Sequence, residues 1–213
     1  MIYTQETARE TARLLLQINA IKLNPANPFT WASGWKSPIY CDNRKTLSYP
    51  DIRTSIKNFF LKAINDKFAG VEVIAGVATA GIPMGMLIAQ EMKLPFIYVR
   101  SSAKDHGLQN QIEGVLNPGQ KVVVIEDLVS TGGSSLKAVE AIRASQGHVM
   151  GMAAIFSYAF PHAEKSFVEA NCSLITLSDY PNLIETALEQ GTIQREQLEL
   201  LNQWREQPDT WGK

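Results

Sequence analysis

Short, unbroken apolar runs alternate along this chain with longer segments whose apolar residues recur at helical spacing. The runs at 71–77, 122–125 and 149–156 predict strands covered on both faces, the mark of a parallel sheet, and 96–99 predicts a short strand. A further run at 174–177 predicts an edge strand. Between the strands, Ile52, Ile56, Phe60, Ala63 and Ile64 predict a helix over 51–68, a second helix ends near Met92, and Leu136, Val139 and Ile142 open a third. At the start, Ala8, Thr11, Leu14, Leu15 and Ile18 share one face of a helix running to about Asn19, with Thr4 as its N-cap. Two amphipathic helices, 180–189 and 192–207, follow the last strand. This alternation predicts the α/β class, a central parallel sheet flanked by helices. Ligands of such sheets bind at the carboxyl ends of the strands.

Composition narrows the picture. A chain of 213 residues, 45% hydrophobic and 19% charged, suits one globular domain over 1–213. A net charge of −1 gives no support for nucleic-acid binding. No apolar run of about 18 residues occurs, so no membrane span is expected. Residues 1–6 lack a basic and then apolar pattern, and a cytoplasmic location is expected. Cys41 and Cys172 stand far apart, with no CxxC and no flanking histidine pair. That argues against a zinc site and for a reducing compartment. His148 and His162 read as surface or capping residues.

The chemistry concentrates after the run at 122–125. Glu126 and Asp127 stand where the strand should end, followed by Leu128, Val129, Ser130, Thr131, Gly132, Gly133 and Ser134 at the start of a helix. Glycines let the backbone approach a ligand, hydroxyls donate to it, and the first N–H groups of a helix favour an anion. No lysine precedes the hydroxyls, which excludes a Walker-type loop. Ionised carboxylates only accept hydrogen bonds, so the two acids suit the vicinal hydroxyls of a sugar and not a bare phosphate. A sugar phosphate fits both halves of the motif.

Three other segments are candidates. Ala78, Thr79, Ala80 and Gly81 form a small-residue turn between strand and helix, a second anion nest. Residues 100–114 are polar, glycine-bounded and long for a connection, either a lid carrying Arg100, Lys104 and His106 or a solvated charged loop. Residues 22–44 are rich in proline and aromatics and read as irregular, either a hood over a pocket or a loop anchored by its rings.

Residues 122–134 resemble the phosphoribosyl-pyrophosphate (PRPP) signature of type I phosphoribosyltransferases. Phe-Thr-x-x-Ser-Gly-x-x-Ser-Pro-x-Tyr from Phe29 to Tyr40 is similar to the N-terminal hood of the orotate phosphoribosyltransferases, and Arg-x-x-x-Lys-x-His-Gly from Arg100 to their catalytic loop. The resemblance runs through nearly the whole chain. It implies the type I phosphoribosyltransferase fold, with a hood from about 20–45 and the C-terminal region. It implies transfer of the phosphoribosyl group from PRPP to N1 of orotate in UMP biosynthesis. Glu126 and Asp127 would hold the ribose hydroxyls and Val129 to Ser134 the 5′-phosphate, with Leu128 also against PRPP. The backbone of Thr79 and Ala80 would hold the pyrophosphate, and Arg100, Lys104 and His106 would stabilise its departure. Phe29, Tyr40, Cys41 and Ser130 would meet the base. Mg²⁺ would be held mainly by PRPP, without a direct protein ligand, and a homodimer would share the 100–114 loop across its interface. Departures from some relatives are Ala32, Ala80 and Ser101 in place of lysines, and no arginine between Arg143 and Arg195. The alternatives are a transferase for another base, such as a purine, and a PRPP-sensing regulator without catalysis.

Overall fold

The computed structural model describes residues 1–31, 33–101 and 111–212. Helix α1 (Gln5–Gln17) opens the chain, and Thr4 caps it by accepting the amide of Thr7 at 3.1 Å, the role a hydroxyl before a helix commonly takes. Four short strands follow: β1 (Ile21–Leu23), β2 (Phe29–Thr30), β3 (Lys36–Ser37) and β4 (Ile39–Cys41). β1 pairs with β4 and β2 with β3, both antiparallel. The irregular reading of 22–44 is corrected accordingly. Strands of two or three residues are too short for alternation to register in a sequence. A 3₁₀ turn (Asn43–Ser48) then leads into α2 (Pro50–Lys67), whose first position holds the proline. The missing N–H of proline is harmless there.

The main sheet is built from β5 (Val73–Val77), β6 (Phe96–Val99), β7 (Ile112–Glu113), β8 (Lys121–Val129), β9 (His148–Ser157) and β10 (Leu174–Asp179). Its order is β10-β9-β8-β5-β6-β7, with every pair parallel except β6 with β7. The long 100–114 connection therefore returns as a strand, pairing Val99 with Ile112 and Tyr98 with Glu113. Helices α3 (Gly81–Met92), α4 (Gly133–Ala144) and α5 (Pro161–Glu169) connect the strands, and α6 (Tyr180–Glu189) follows β10.

β8 lies inside the sheet and explains its unbroken apolar run. Val123 and Ile125 join a core with α1, α2 and α3, while Val122 and Val124 join a second core with Val139 and Ile142 of α4. All four strand residues are fully buried, so neither face tolerates a polar side chain. β10 is an edge strand, and the N-terminus runs along it: Tyr3 N donates to Thr176 O and Thr176 N to Met1 O. The last predicted helix is broken. A 3₁₀ turn (Arg195–Gln197) precedes α7 (Leu198–Glu206), and Gln194 and Gln197 cap each other's backbone at the restart. Helix α7 buries Trp204 against the small strands, where its indole N–H donates to Lys36 O at 3.2 Å. Among the described residues no helix is long and apolar enough to cross a membrane.

Candidate active site

Glu126 and Asp127 close the apolar stretch of β8, where a strand leaves the core. Glu126 is only 6% exposed. Its carboxylate accepts the Ser135 hydroxyl at 2.9 Å and the Asp127 amide at 3.0 Å. Burial, and then the neighbouring charge of Asp127, pushes its pKa from 4.5 up to about 8. Burial also raises the Asp127 carboxyl, opposed in part by the nearby Arg44 guanidinium. The Asp127 carbonyl is held in turn by Asn43, whose amide donates to it at 2.7 Å. The second acid is thus fixed at both faces of its peptide, by Glu126 from within the strand and by Asn43 from the hood.

The acids line a cavity of about 330 Å³. Across it stand Ala78, Thr79 and Ala80, the turn that opens α3, and Ser134 from the first turn of α4. Cys41, Asp42 and Arg44 complete the wall from the hood side. Arg44 Nε donates to Asp42 at 2.6 Å, which leaves the rest of its fork for an anion. Two glycines make this convergence possible. A Cβ on Gly81 would stand 2.4 Å from the carbonyl oxygen of Ile125, so only glycine lets α3 approach β8 this closely. Gly132 has φ +84, in the left-handed region, and turns the chain from Thr131 into α4.

A second cavity, about 310 Å³, lies under the hood. Its walls are Trp31, Thr30, Tyr40 and Cys41 from the hood, Leu128 and Ser130 from the end of β8, and Tyr158 from the end of β9. Cys41 and Leu128 belong to both cavities, so the two adjoin. Aromatic packing makes the second one rigid. Tyr158 lies 5.1 Å from Trp31, 5.4 Å from Phe160 and 5.7 Å from Trp204, centroid to centroid. The Cys41 thiol donates to Asn43 Oδ1 at 3.3 Å, and burial holds it protonated.

Of the residues singled out by sequence, Thr79, Ala80, Glu126, Asp127, Leu128 and Ser134 line the first cavity, and Tyr40, Cys41, Leu128 and Ser130 the second. Phe29 lines neither; it packs on Tyr40 at 5.7 Å and borders a separate cleft with Ile21. Val129 is buried beneath the site, while Thr131 and Gly133 are exposed on the loop to α4. Arg100 ends β6, its Nη1 buried 3.8 Å from Glu113 Oε1, an ion-pair distance too long for a hydrogen bond. Lys104 and His106 lie outside the described residues. Sequence reasoning missed Asn43, Arg44, Ser135, Trp31 and Tyr158. The triplet Asp42-Asn43-Arg44 carried a faint signal, being charged and amide-bearing directly after the aromatic hood. A larger cavity of about 700 Å³ at the amino end of β10 is lined by none of these residues.

The arrangement joins an anion nest, two acids and a flat aromatic slot at the carboxyl end of one sheet, as a ribosyl phosphate beside a planar ring requires. The phosphoribosyl transferase domain family matches residues 47–188. An orotate phosphoribosyltransferase of Porphyromonas gingivalis is 59% identical over 201 residues, covering 94% of this chain and 96% of that one. One from Streptococcus pneumoniae serotype 4 is 55% identical over 204 residues, covering 96% and 97%. The solved structure of orotate phosphoribosyltransferase from Aeropyrum pernix matches with a TM-score of 0.75 at 25% identity, over 86% of this chain and 99% of that one. The chain belongs to the phosphoribosyl transferase domain family and, within it, to the orotate phosphoribosyltransferases.

Proposed function

We propose that this chain transfers the 5-phosphoribosyl group of PRPP to N1 of orotate, releasing pyrophosphate and giving orotidine 5′-phosphate on the route to UMP. The observation that carries the reading is the pair of unlike cavities meeting at Cys41 and Leu128. One offers acids and small-residue turns to a sugar phosphate, and the other offers flat walls to a base. In this reading the bond from ribose C1′ to the pyrophosphate oxygen breaks as N1 of orotate approaches. Positive charge builds on the ribose ring and negative charge on the leaving group.

Asp127 and Glu126 accept the ribose hydroxyls. The developing cation on the sugar favours their ionised forms, countering the burial that raises both carboxyls. The backbone of Thr79 and Ala80 receives the pyrophosphate, while Ser130, Thr131, Gly132, Gly133 and Ser134 receive the 5′-phosphate at the start of α4. Arg100, Lys104 and His106 neutralise the departing anion and exclude water. Mg²⁺ would be held mainly by PRPP. The hard oxygens of Glu126 and Asp127 suit such an ion, which needs only one or two carboxylates besides substrate phosphates. When bound, it supplies neutralisation of pyrophosphate charge.

The test is direct. With PRPP and Mg²⁺, orotate absorbance should fall while adenine, hypoxanthine and guanine are left unchanged; turnover of a purine and not of orotate would reject the reading. The 100–114 loop, in this reading, serves the neighbouring subunit of a homodimer. Mixing Lys104→Ala with Asp127→Asn subunits should then restore activity towards half per mixed dimer, and no recovery after verified exchange would place the loop in its own site.

A further inference from the structure

The cavity under the hood has no charged wall among the described residues, yet orotate carries a carboxylate. Lys36 is not one of its walls; it donates to the Thr30 hydroxyl at 2.8 Å. Arg205 of α7 is not one of its walls either; one of its nitrogens donates to Ala159 O at 2.9 Å, while its Nε is buried without a partner among the described residues. The walls themselves offer an anion only neutral donors.

One donor stands out. Tyr158 is 2% exposed, its ring wedged among Trp31, Phe156, Phe160 and Trp204. Its hydroxyl oxygen is not sealed in with the ring: Tyr158 belongs to the cavity wall, and no described residue hydrogen-bonds to that hydroxyl. Burial raises its pKa well above 10, so the hydroxyl remains a donor throughout the working pH range.

The backbone around it is pinned at each step. Tyr158 N donates to Val129 O at 3.1 Å, and Ala159 N donates to the Ser157 hydroxyl at 3.0 Å. Val129 and Ser157 are register partners across β8 and β9, so Ser130 and Tyr158 leave the sheet side by side. The fold thus brings Ser130 and Tyr158 to the wall of the same cavity, Tyr158 on a ring held by its aromatic neighbours.

Resting on the orotate reading above, we infer that Tyr158 is a specificity-determining residue, its hydroxyl donating to the carboxylate of the base with Ser130 beside it. A hydrogen bond to a charged group typically contributes about 1.5–3 kcal/mol when its partner is otherwise left bare. The fold-change expected on its loss is therefore about ten or more.

The experiment compares Tyr158→Phe with the wild-type chain, measuring KM for orotate and for PRPP, turnover of uracil, which lacks the carboxylate, and the melting temperature. The KM for orotate should rise about tenfold or more, with the KM for PRPP within about twofold and uracil turnover unchanged. Melting should be unchanged, because the hydroxyl supports nothing in the protein. An unchanged orotate KM would overturn the inference, as would equal rises for both substrates or an equal loss on uracil. A variant that fails to fold would reveal a structural partner for the hydroxyl and overturn it too. A wild-type chain that does not turn over orotate would reject the parent reading as well, which separates the two failures.

Discussion

The two adjoining cavities share Cys41 and Leu128 and differ in almost everything else. The one beside β8 is a place of charge: two acids, an arginine, and backbone from helix starts. The one under the hood is aromatic and uncharged among the described residues, and its shape depends on ring packing from three separated parts of the chain. Charge in the first cavity is costly to bury, and the protein offsets that cost locally. Ser135 and the Asp127 amide donate to the Glu126 carboxylate, Asn43 holds the Asp127 carbonyl, and the charge of Arg44 opposes the rise of the Asp127 carboxyl. The second cavity has no such local support and relies on Trp204, far along the chain, to hold its wall. The acid pair and glycine turn of the first cavity lie in one stretch of sequence, although its other walls come from residues 41–44 and 78–80, whereas the aromatic wall of the second is assembled wholly from distant parts.

Three substitutions sharpen or break this contrast. The largest effect is expected from Trp204→Ala, which removes a fully buried indole touching Trp31, Tyr158, Phe160 and Tyr180. Stability in urea should fall by about 3–5 kcal/mol. At a temperature where the variant stays folded, the KM for orotate should rise more than that for PRPP. Equal rises would show that the two cavities behave as one unit.

Next is Asp127→Asn. It keeps the shape of the residue and its backbone hydrogen bonds but replaces a charged acceptor, costing about 3 kcal/mol, so kcat/KM should drop about a hundredfold. The melting temperature should hold steady. Intact kinetics would return Asp127 to a structural role.

The smallest effect concerns pH. The folded pKa of Glu126, about 8, lies above its ordinary 4.5. A proton bound there favours the folded state, and that contribution is lost as pH climbs from about 4.5 through about 8. Glu126→Gln has no such loss. Its stability relative to wild type should therefore improve by on the order of 1–3 kcal/mol between about pH 5 and pH 9, read from melts across pH. A constant difference would mean that Ser135 and the Asp127 amide fully offset the burial.

The contrast also decides what could be read in advance. The strand, the acid pair and the glycine turn lie within residues 122–135, and their meaning needs no distant partner. Thr79 and Ala80 were legible for the same reason, a strand end running into a helix. Asn43 was not. It is 2% exposed and its amide reaches a carbonyl 84 positions away, a pairing with no periodicity to announce it. Phe29, in the same motif as Tyr40, packs on that ring and lines a neighbouring cleft, a placement that sequence spacing does not announce. The broken C-terminal helix escaped because a 3₁₀ turn and an α-helix carry nearly the same apolar spacing.

By itself, the sequence determined the α/β class, the central strand, and the acid pair and glycine turn at its end, because hydrophobic period and turn chemistry act over a few residues. The tertiary structure alone decided the sheet order, the antiparallel return of β7 and the pairing of the four small strands. It also decided that Trp31, Tyr158 and Trp204 share one wall. Those contacts join residues separated by dozens of positions or more. Their free energy comes from excluding water between surfaces that become neighbours only after the chain has folded.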